Sequence, residues 1–166
     1  MDELDAGLKI SIAGPQREAA LAEFRKHIRR WGLALPPVEP LVLDFGLGAF
    51  RRIGLIEYWI ANEAAAGYCG KYLFVFKGQT CPKHRHKWKH ETFFLLEGQI
   101  SVEYRGRKSI LQPGDVLPIK PGVYHSFTGR KPSLLLELSM PCAISDNYFA
   151  NRQIPIGGNF RPRKVR

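Results

Sequence analysis

Four side chains with the chemistry of metal ligands lie in the middle of the chain. His84 and His86 are two residues apart, Glu91 follows them, and His125 begins a later segment just after the turn at Pro121-Gly122. Residues two apart in a β-strand point to the same face, so the paired histidines face the same way. Three imidazoles and one carboxylate suit a divalent transition ion and leave positions open for a substrate. The spacing therefore predicts a catalytic metal site, without choosing among manganese, iron, cobalt, nickel and zinc.

Three further charged residues could act beside such an ion. Lys89 lies two positions before Glu91 and shares its face if the chain is already extended there. Lys71 begins an alternating run, and Glu137 interrupts the apolar segment from Leu134 to Leu138, where an inward-facing acid needs a partner. Like-charge repulsion from the ion predicts a lowered pKa for both lysines. An ordinary solvated charge at a strand end is the alternative interpretation for all three residues.

The elements that must position these residues are one helix followed by short strands. Apolar residues recur every three or four positions from Pro15 to Trp31, and Gly32 is placed to end that helix. Beyond three prolines between residues 36 and 40, short strand-like runs alternate with turn signals. We predict strands over Leu41–Phe45, Ile53–Ile60, Lys71–Lys77, Phe93–Leu96, Ile100–Tyr104, Lys108–Leu111, Val116–Ile119, His125–Thr128 and Leu134–Ser139. This pattern predicts an all-β sandwich or barrel with an N-terminal α-helix.

Length and composition indicate one domain. The chain has 166 residues, a length at which a single core needs no disulfide or structural metal. We expect an N-terminal helix and linker over residues 1–40, a barrel over residues 41–149 and a C-terminal tail over residues 150–166. The three cysteines show no metal-binding spacing, and we find no leading signal peptide and no long apolar run. These observations favour reduced thiols in a cytoplasmic protein without a membrane span.

The chain is strongly basic, but its charges are dispersed. The formal net charge is +10, with local concentrations only near Arg25–Arg30 and in the final Arg161–Arg166 segment. Neither segment resembles a groove-reading helix or a nucleic-acid platform with interleaved aromatic residues. Charge of this kind affects solubility and the steering of ligands, so we expect no nucleic-acid partner.

The segments around the predicted ligands resemble the cupin superfamily. Its first motif, G-x5-H-x-H-x4-E-x6-G, is matched without a gap from Gly78 to Gly98. Its second motif is matched at Gly114, Gly122 and His125, whereas Lys120 and Gly129 replace the usual proline and asparagine. The resemblance implies the cupin double-stranded β-helix, a jelly-roll barrel, with His84, His86, Glu91 and His125 as metal ligands.

From Trp31 to about Gly158 the chain is also similar to the D-lyxose isomerase family of cupin ketol-isomerases. The segments that carry the similarity are Gly32–Pro37, Asp44–Phe50, Lys71 to Glu91, Glu137–Ser139 and Asp146–Phe149. The resemblance implies interconversion of D-lyxose with D-xylulose, and often of D-mannose with D-fructose. It further implies Mn²⁺ as the usual cofactor, Lys71 and Lys89 as active-site lysines, and a homodimer. Longer members have an acidic residue where this chain has Asn151 and Arg152, so the resemblance leaves the general base open. Glu137 is our candidate for that base, and a hydride shift would need none.

Other functions compete with this interpretation. An isomerase of phosphorylated sugars would require a cluster of Lys and Arg at the rim of the pocket. An iron dioxygenase would require an apolar pocket, and a non-catalytic metal-containing sugar-binding cupin would bind the sugar without forming ketose. The run Leu55–Ile60 also leaves two alternatives for Trp59, which could fill the barrel core or lie in a dimer interface.

Overall fold

The computed structural model describes residues 3–161 and contains two α-helices and eleven β-strands. The helices are α1 (Glu3–Leu8) and α2 (Gly14–Arg30). The strands are β1 (Leu41–Leu43), β2 (Leu55–Glu63), β3 (Tyr68–Val75), β4 (Thr80–His86), β5 (Glu91–Glu97), β6 (Ile100–Tyr104), β7 (Arg107–Leu111), β8 (Val116–Ile119), β9 (His125–Gly129), β10 (Ser133–Ser139) and β11 (Asn147–Phe149). A short 3-10 turn, Ile144–Asp146, precedes β11.

The strands form two antiparallel sheets that face each other. One sheet has the order β1-β2-β3-β10-β5-β8, and the other has the order β11-β4-β9-β6-β7. Between the sheets lies an apolar core that includes Leu73, Leu95, Val102, Phe127 and Leu135. Strands β3, β5 and β10 contribute alternate residues to this core, as expected when one face of each strand points inward. This arrangement confirms the predicted all-β cupin barrel with an N-terminal helix.

Helix α2 covers the outer face of the six-stranded sheet. Its buried face presents Leu21, Phe24 and Ile28 to a second apolar cluster that includes Phe74 and Phe76 of the β3 segment. Strand β3 is therefore apolar on both faces, which explains its continuous hydrophobic run. Its alternation also orients Lys71, which shares the inward face with Leu73 and Val75 as the sequence indicated.

Several elements differ from the sequence-based expectation. Strands β6 and β8 have the predicted bounds, and the helix is displaced by one residue at each end. Strand β4 was not among the predicted strands, because Pro82 and its charged residues obscure the alternation, although strand geometry had been assumed for His84 and His86 and does place them on one face. The short elements α1 and β11 were also missed, because neither is long enough to show a period.

The predicted division at residues 40 and 149 stays a prediction. Ile10 and Ile154 lie on either side of the barrel segment in sequence, yet both are almost fully buried in the core between the sheets. Residues 162–166, which complete the basic C-terminal segment, lie outside the described part of the chain. Within residues 3–161 no helix has the length and apolar character to cross a membrane.

Candidate metal centre and pocket

The predicted ligands meet inside the barrel because they come from strands of both sheets. His84 and His86 lie in β4, His125 opens the neighbouring β9, and Glu91 opens β5 of the facing sheet. The β4–β9 register pairs His84 directly with His125. One ligand atom from each of the four residues lies within 4.8 Å of the others. His90, in contrast, is exposed and lies outside this cluster.

Backbone carbonyls orient two of the imidazoles. The Nδ1 atom of His84 lies 2.8 Å from the carbonyl oxygen of Pro82, and Nδ1 of His125 lies 3.2 Å from that of Val123. A carbonyl can only accept, so Nδ1 carries the proton in both rings and Nε2 presents a lone pair. Burial, reinforced by the neighbouring histidines, holds the pKa of His84 well below its usual value. The ring is therefore neutral, as a metal ligand must be.

The centre contains buried polar atoms whose hydrogen-bonding capacity is unused. Within the described residues, both ring nitrogens of His86, Nε2 of His125 and Oε1 of Glu91 are buried without a hydrogen-bond partner. Nε2 of His125 is 2.8 Å from Oε1 of Glu91, but the contact lacks hydrogen-bond geometry. Buried polar groups are normally satisfied, so converging lone pairs of this kind fit a cation. The donor set thus matches a divalent transition ion.

A network of buried charges extends from the metal centre across the six-stranded sheet. The ammonium of Lys89 lies 2.8 Å from Oε2 of Glu91 and 2.9 Å from Oε1 of Glu137. The ammonium of Lys71 lies 3.5 Å from Oε2 of Glu137 and 3.6 Å from Oε2 of Glu57. Three carboxylates therefore face two ammonium groups, which leaves an excess of negative charge inside the barrel. A bound cation would compensate it.

Carboxylates dominate the pKa values of the two lysines in this network, and the lowering expected from a neighbouring metal ion stays a prediction. Burial acts to lower the pKa of Lys89, but the carboxylates of Glu137 and Glu91 outweigh it and raise the pKa. The same balance applies to Lys71, where burial is outweighed by Cys142, Glu137 and Glu57. The expectation considered only repulsion from the ion, whereas each ammonium is held between two carboxylates. Both lysines are charged in this network.

Glu137 is also ionised despite its complete burial. Desolvation acts to raise its pKa, but Lys71 and Lys89 outweigh that effect and lower it. The hydroxyl of Ser139 donates a further hydrogen bond of 2.9 Å to Oε1 of Glu137. These contacts place a carboxylate beside the metal centre with its two oxygens directed at different lysines.

Two acidic residues at this site were not found from the sequence. Glu57 faces the barrel interior from β2, and the signal for it in the sequence was an acid within the otherwise apolar run Leu55–Ile60. Asp146 is buried and accepts hydrogen bonds of 2.8 to 3.2 Å from the backbone N–H groups of Lys87, Trp88 and Lys89. Asp146 therefore fixes the loop between the predicted ligands His86 and Glu91. It lies at least 57 residues from that loop in sequence, so local patterns could not indicate the contact.

The charged network lines two adjoining cavities. The inner cavity is lined by His84, His86 and Glu91 together with both lysines. The outer cavity lies between the barrel and α1. Five residues line both cavities: Phe45, Glu57, Lys71, Asn147 and Phe149. The two cavities therefore adjoin at these five side chains.

Trp59 lines this pocket, which favours the first of the two alternatives, a side chain that fills the barrel interior. Its Nε1 donates a hydrogen bond of 2.8 Å to Oε2 of Glu57, and the ammonium of Lys71 lies 5.4 Å from the centre of its ring. The residue alternates in phase with Glu57 along β2, and that phase points inward. The three cysteines are likewise internal: Cys69, Cys81 and Cys142 are buried and unpaired.

Similar solved structures share this architecture. An L-ribose isomerase from Cellulomonas parahominis, determined with L-ribose, superposes with a TM-score of 0.69 at 17% identity, covering 87% of this chain and 95% of that one. An L-ribose isomerase mutant from Acinetobacter sp. DL28 superposes with a TM-score of 0.70 at 16% identity over the same shares. These matches establish the fold.

Sequence comparison establishes the family. The cupin domain family matches residues 73–139, which include every predicted ligand. A D-lyxose/D-mannose isomerase of Thermosediminibacter oceani is 28% identical over 76% of this chain and 86% of its own length. A D-lyxose ketol-isomerase of Cohnella laeviribosi is 31% identical over 71% of this chain and 80% of its own length. With the cupin fold and the buried His/Glu centre, this similarity shows that the chain belongs to the D-lyxose ketol-isomerase family of cupin sugar isomerases.

Proposed function

We propose that the chain is a divalent-metal-dependent aldose–ketose isomerase that interconverts D-lyxose with D-xylulose, with D-mannose and D-fructose as a second pair. The observation that carries the proposal is the buried Lys71-Glu137-Lys89 network next to four converging ligand groups. Relatives named as D-lyxose isomerases support the sugar. Mn²⁺ is the ion we propose, in line with the family resemblance, and iron, cobalt, nickel and zinc suit the same donors.

The residues of the pocket supply the proton transfers that isomerisation requires. A bound divalent ion would polarise the carbonyl and stabilise negative charge that develops on the sugar oxygens. Glu137 removes the proton from C2 of the aldose and returns it to C1, while one proton passes from O2 to O1. Lys89 donates a hydrogen bond to the sugar oxygen nearest the centre, and Lys71 holds the second oxygen of Glu137 in place. A direct hydride shift would need no base at carbon.

Two alternatives are less well supported by the pocket, and a third is compatible with it. An isomerase of phosphorylated sugars needs clustered cations, whereas the described lining of the outer cavity has one lysine and the acids Glu3 and Glu57. A dioxygenase would need an apolar site, which the buried lysines oppose. A non-catalytic sugar-binding cupin has the same ligands, so only an assay separates it.

The decisive experiment is ketose formation by protein that has first been stripped of metal with a chelator. A panel of pentoses and hexoses would be tested with Mn²⁺, Fe²⁺, Co²⁺, Ni²⁺ and Zn²⁺ added separately. Formation of D-xylulose from D-lyxose only after an ion is restored would support the proposal. Sugar binding without ketose formation would identify a binding protein, and full activity after verified metal removal would contradict the role of the ion.

We also propose a homodimer, in line with the family resemblance. Ile60, Leu138 and Met140 are exposed apolar side chains of the six-stranded sheet or its edge, and a second copy could cover them. Light scattering tests this directly. A mass near twice 18.8 kDa at micromolar concentration is expected, and a mass near 18.8 kDa would refute the dimer.

A further inference from the structure

Glu57 is a buried acid whose protein partners contact only one of its two carboxylate oxygens. It lies on the inward face of β2, only 9% exposed, and its register partners on the neighbouring strands are Leu41 and Leu73. Oε2 accepts a hydrogen bond from Trp59 and lies 3.6 Å from the ammonium of Lys71. Within residues 3–161, Oε1 has no hydrogen-bond partner. A buried carboxylate needs hydrogen bonds or an opposite charge, and both protein partners of Glu57 contact Oε2, which leaves Oε1 available to a ligand.

The position of Glu57 relative to the two cavities indicates which part of a ligand it meets. It lines both the inner cavity at the metal centre and the outer cavity beside Trp59. Lys71 separates it from Glu137, since the Lys71 ammonium lies 3.5 Å from one carboxylate and 3.6 Å from the other. A ligand whose reacting carbons lie beside Glu137 therefore presents its far end to Glu57.

On the basis of the isomerase function proposed above, we propose that Glu57 binds the hydroxyl group on the last carbon of the sugar and excludes sugars phosphorylated there. A hydroxyl donates to a carboxylate, and the uncommitted Oε1 is available as the acceptor. A phosphate would instead lie between the acids Glu57 and Glu3, where the one lysine is already shared by two carboxylates. This site selects neutral sugars by attraction of the hydroxyl and repulsion of the phosphate.

The test compares Glu57→Gln with the unmodified protein on D-lyxose and on 5-deoxy-D-lyxose. Glutamine keeps the side-chain length and an oxygen for the Trp59 indole while removing the charge. We expect kcat/KM for D-lyxose to fall by about tenfold or more, mainly through KM, because a charge-assisted hydrogen bond becomes a neutral one. For 5-deoxy-D-lyxose, the two proteins should have equal kcat/KM. Differences in sugar ring-opening cancel, since each sugar is compared with itself.

The phosphorylated sugar provides an independent readout. With D-lyxose 5-phosphate, we expect the unmodified protein to be nearly inactive and Glu57→Gln to increase kcat/KM by about tenfold or more, because like-charge repulsion is relieved. Glu63→Gln is the matched control, because Glu63 lies on the same strand but is exposed. This substitution should leave kcat/KM unchanged for D-lyxose and for D-lyxose 5-phosphate.

Each outcome separates this proposal from the function on which it rests. Unmodified protein that forms no ketose from any free sugar would overturn both. Active protein in which Glu57→Gln lowers kcat/KM equally for both lyxose substrates would overturn the role of Glu57 and leave the isomerase function standing. If the variant does not fold, the unmodified protein decides: turnover of 5-deoxy-D-lyxose as efficient as that of D-lyxose overturns the proposal.

Discussion

Lys89→Met tests whether the charges at the centre of the barrel depend on one another. The Lys89 ammonium is 4% exposed and contacts Glu91 at 2.8 Å and Glu137 at 2.9 Å. Methionine has a similar volume, so the change removes the charge while largely keeping the packing. It leaves Lys71 near Glu137 but no lysine beside Glu91. Removal of one partner from a buried ion pair costs about 3–5 kcal/mol, because the remaining charge is desolvated and uncompensated.

This free-energy loss sets the size of the expected thermal shift. In a protein of this length, 1 kcal/mol corresponds to about 2–4 °C in Tm, so metal-free Lys89→Met should melt about 6–20 °C below the metal-free parent. A divalent ion compensates Glu91, so added Mn²⁺ should reduce the difference. In the metal-loaded variant, kcat should fall by about 10²-fold or more while the ion stays bound, because Lys89 contacts the sugar oxygen as charge develops.

Differential scanning calorimetry on metal-free and metal-loaded protein measures the stability effect, and steady-state kinetics measures the catalytic one. Lys83→Met is the control, since Lys83 forms an exposed ion pair with Glu103 at 2.5 Å and its loss should leave Tm almost unchanged. If metal-free Lys89→Met has the same Tm as metal-free Lys83→Met, the buried carboxylates carry no uncompensated charge. A change confined to KM would contradict the catalytic role.

The remaining predictions concern the ligands, the base and the loop clamp. His84→Ala and His125→Ala should each lose metal and activity together, measured by elemental analysis and ketose assay; a stoichiometric ion in both variants would contradict the ligand assignment. Glu137→Gln should lower kcat by about 10²-fold or more, and the parent should incorporate solvent deuterium at C1 of the ketose. Retention of all the original hydrogen would instead indicate a hydride shift. Asp146→Asn should lower the free energy of unfolding by about 2 kcal/mol in urea titration, because the Lys89 N–H loses its acceptor; an unchanged midpoint would show that the clamp contributes nothing.

The sequence predicted the candidate metal ligands from local spacing and motifs, although strands of both sheets bring them together. Two histidines at a spacing of two share a face in any strand, and the turn before His125 places that residue at the start of another. Local alternation likewise predicted that Lys71 faces inward with Leu73, and the three- to four-residue period predicted α2. Each of these inferences depends on one segment, whose geometry follows from its own backbone.

Only the tertiary structure decided how the charges are paired. Alternation identifies the face of a strand but not the side chain opposite it, and Lys89 meets Glu137 across a separation of 48 residues. The pKa directions of both lysines, the clamp formed by Asp146 and the inward position of Glu57 all depend on such long-range pairing. Trp59 illustrates the same limit. In an apolar run such as Leu55–Ile60, the sequence does not show which alternate residues face the barrel interior and which face outward. Strand register and sheet closure place these groups within contact distance, and neither is encoded in the periodicity of a single segment.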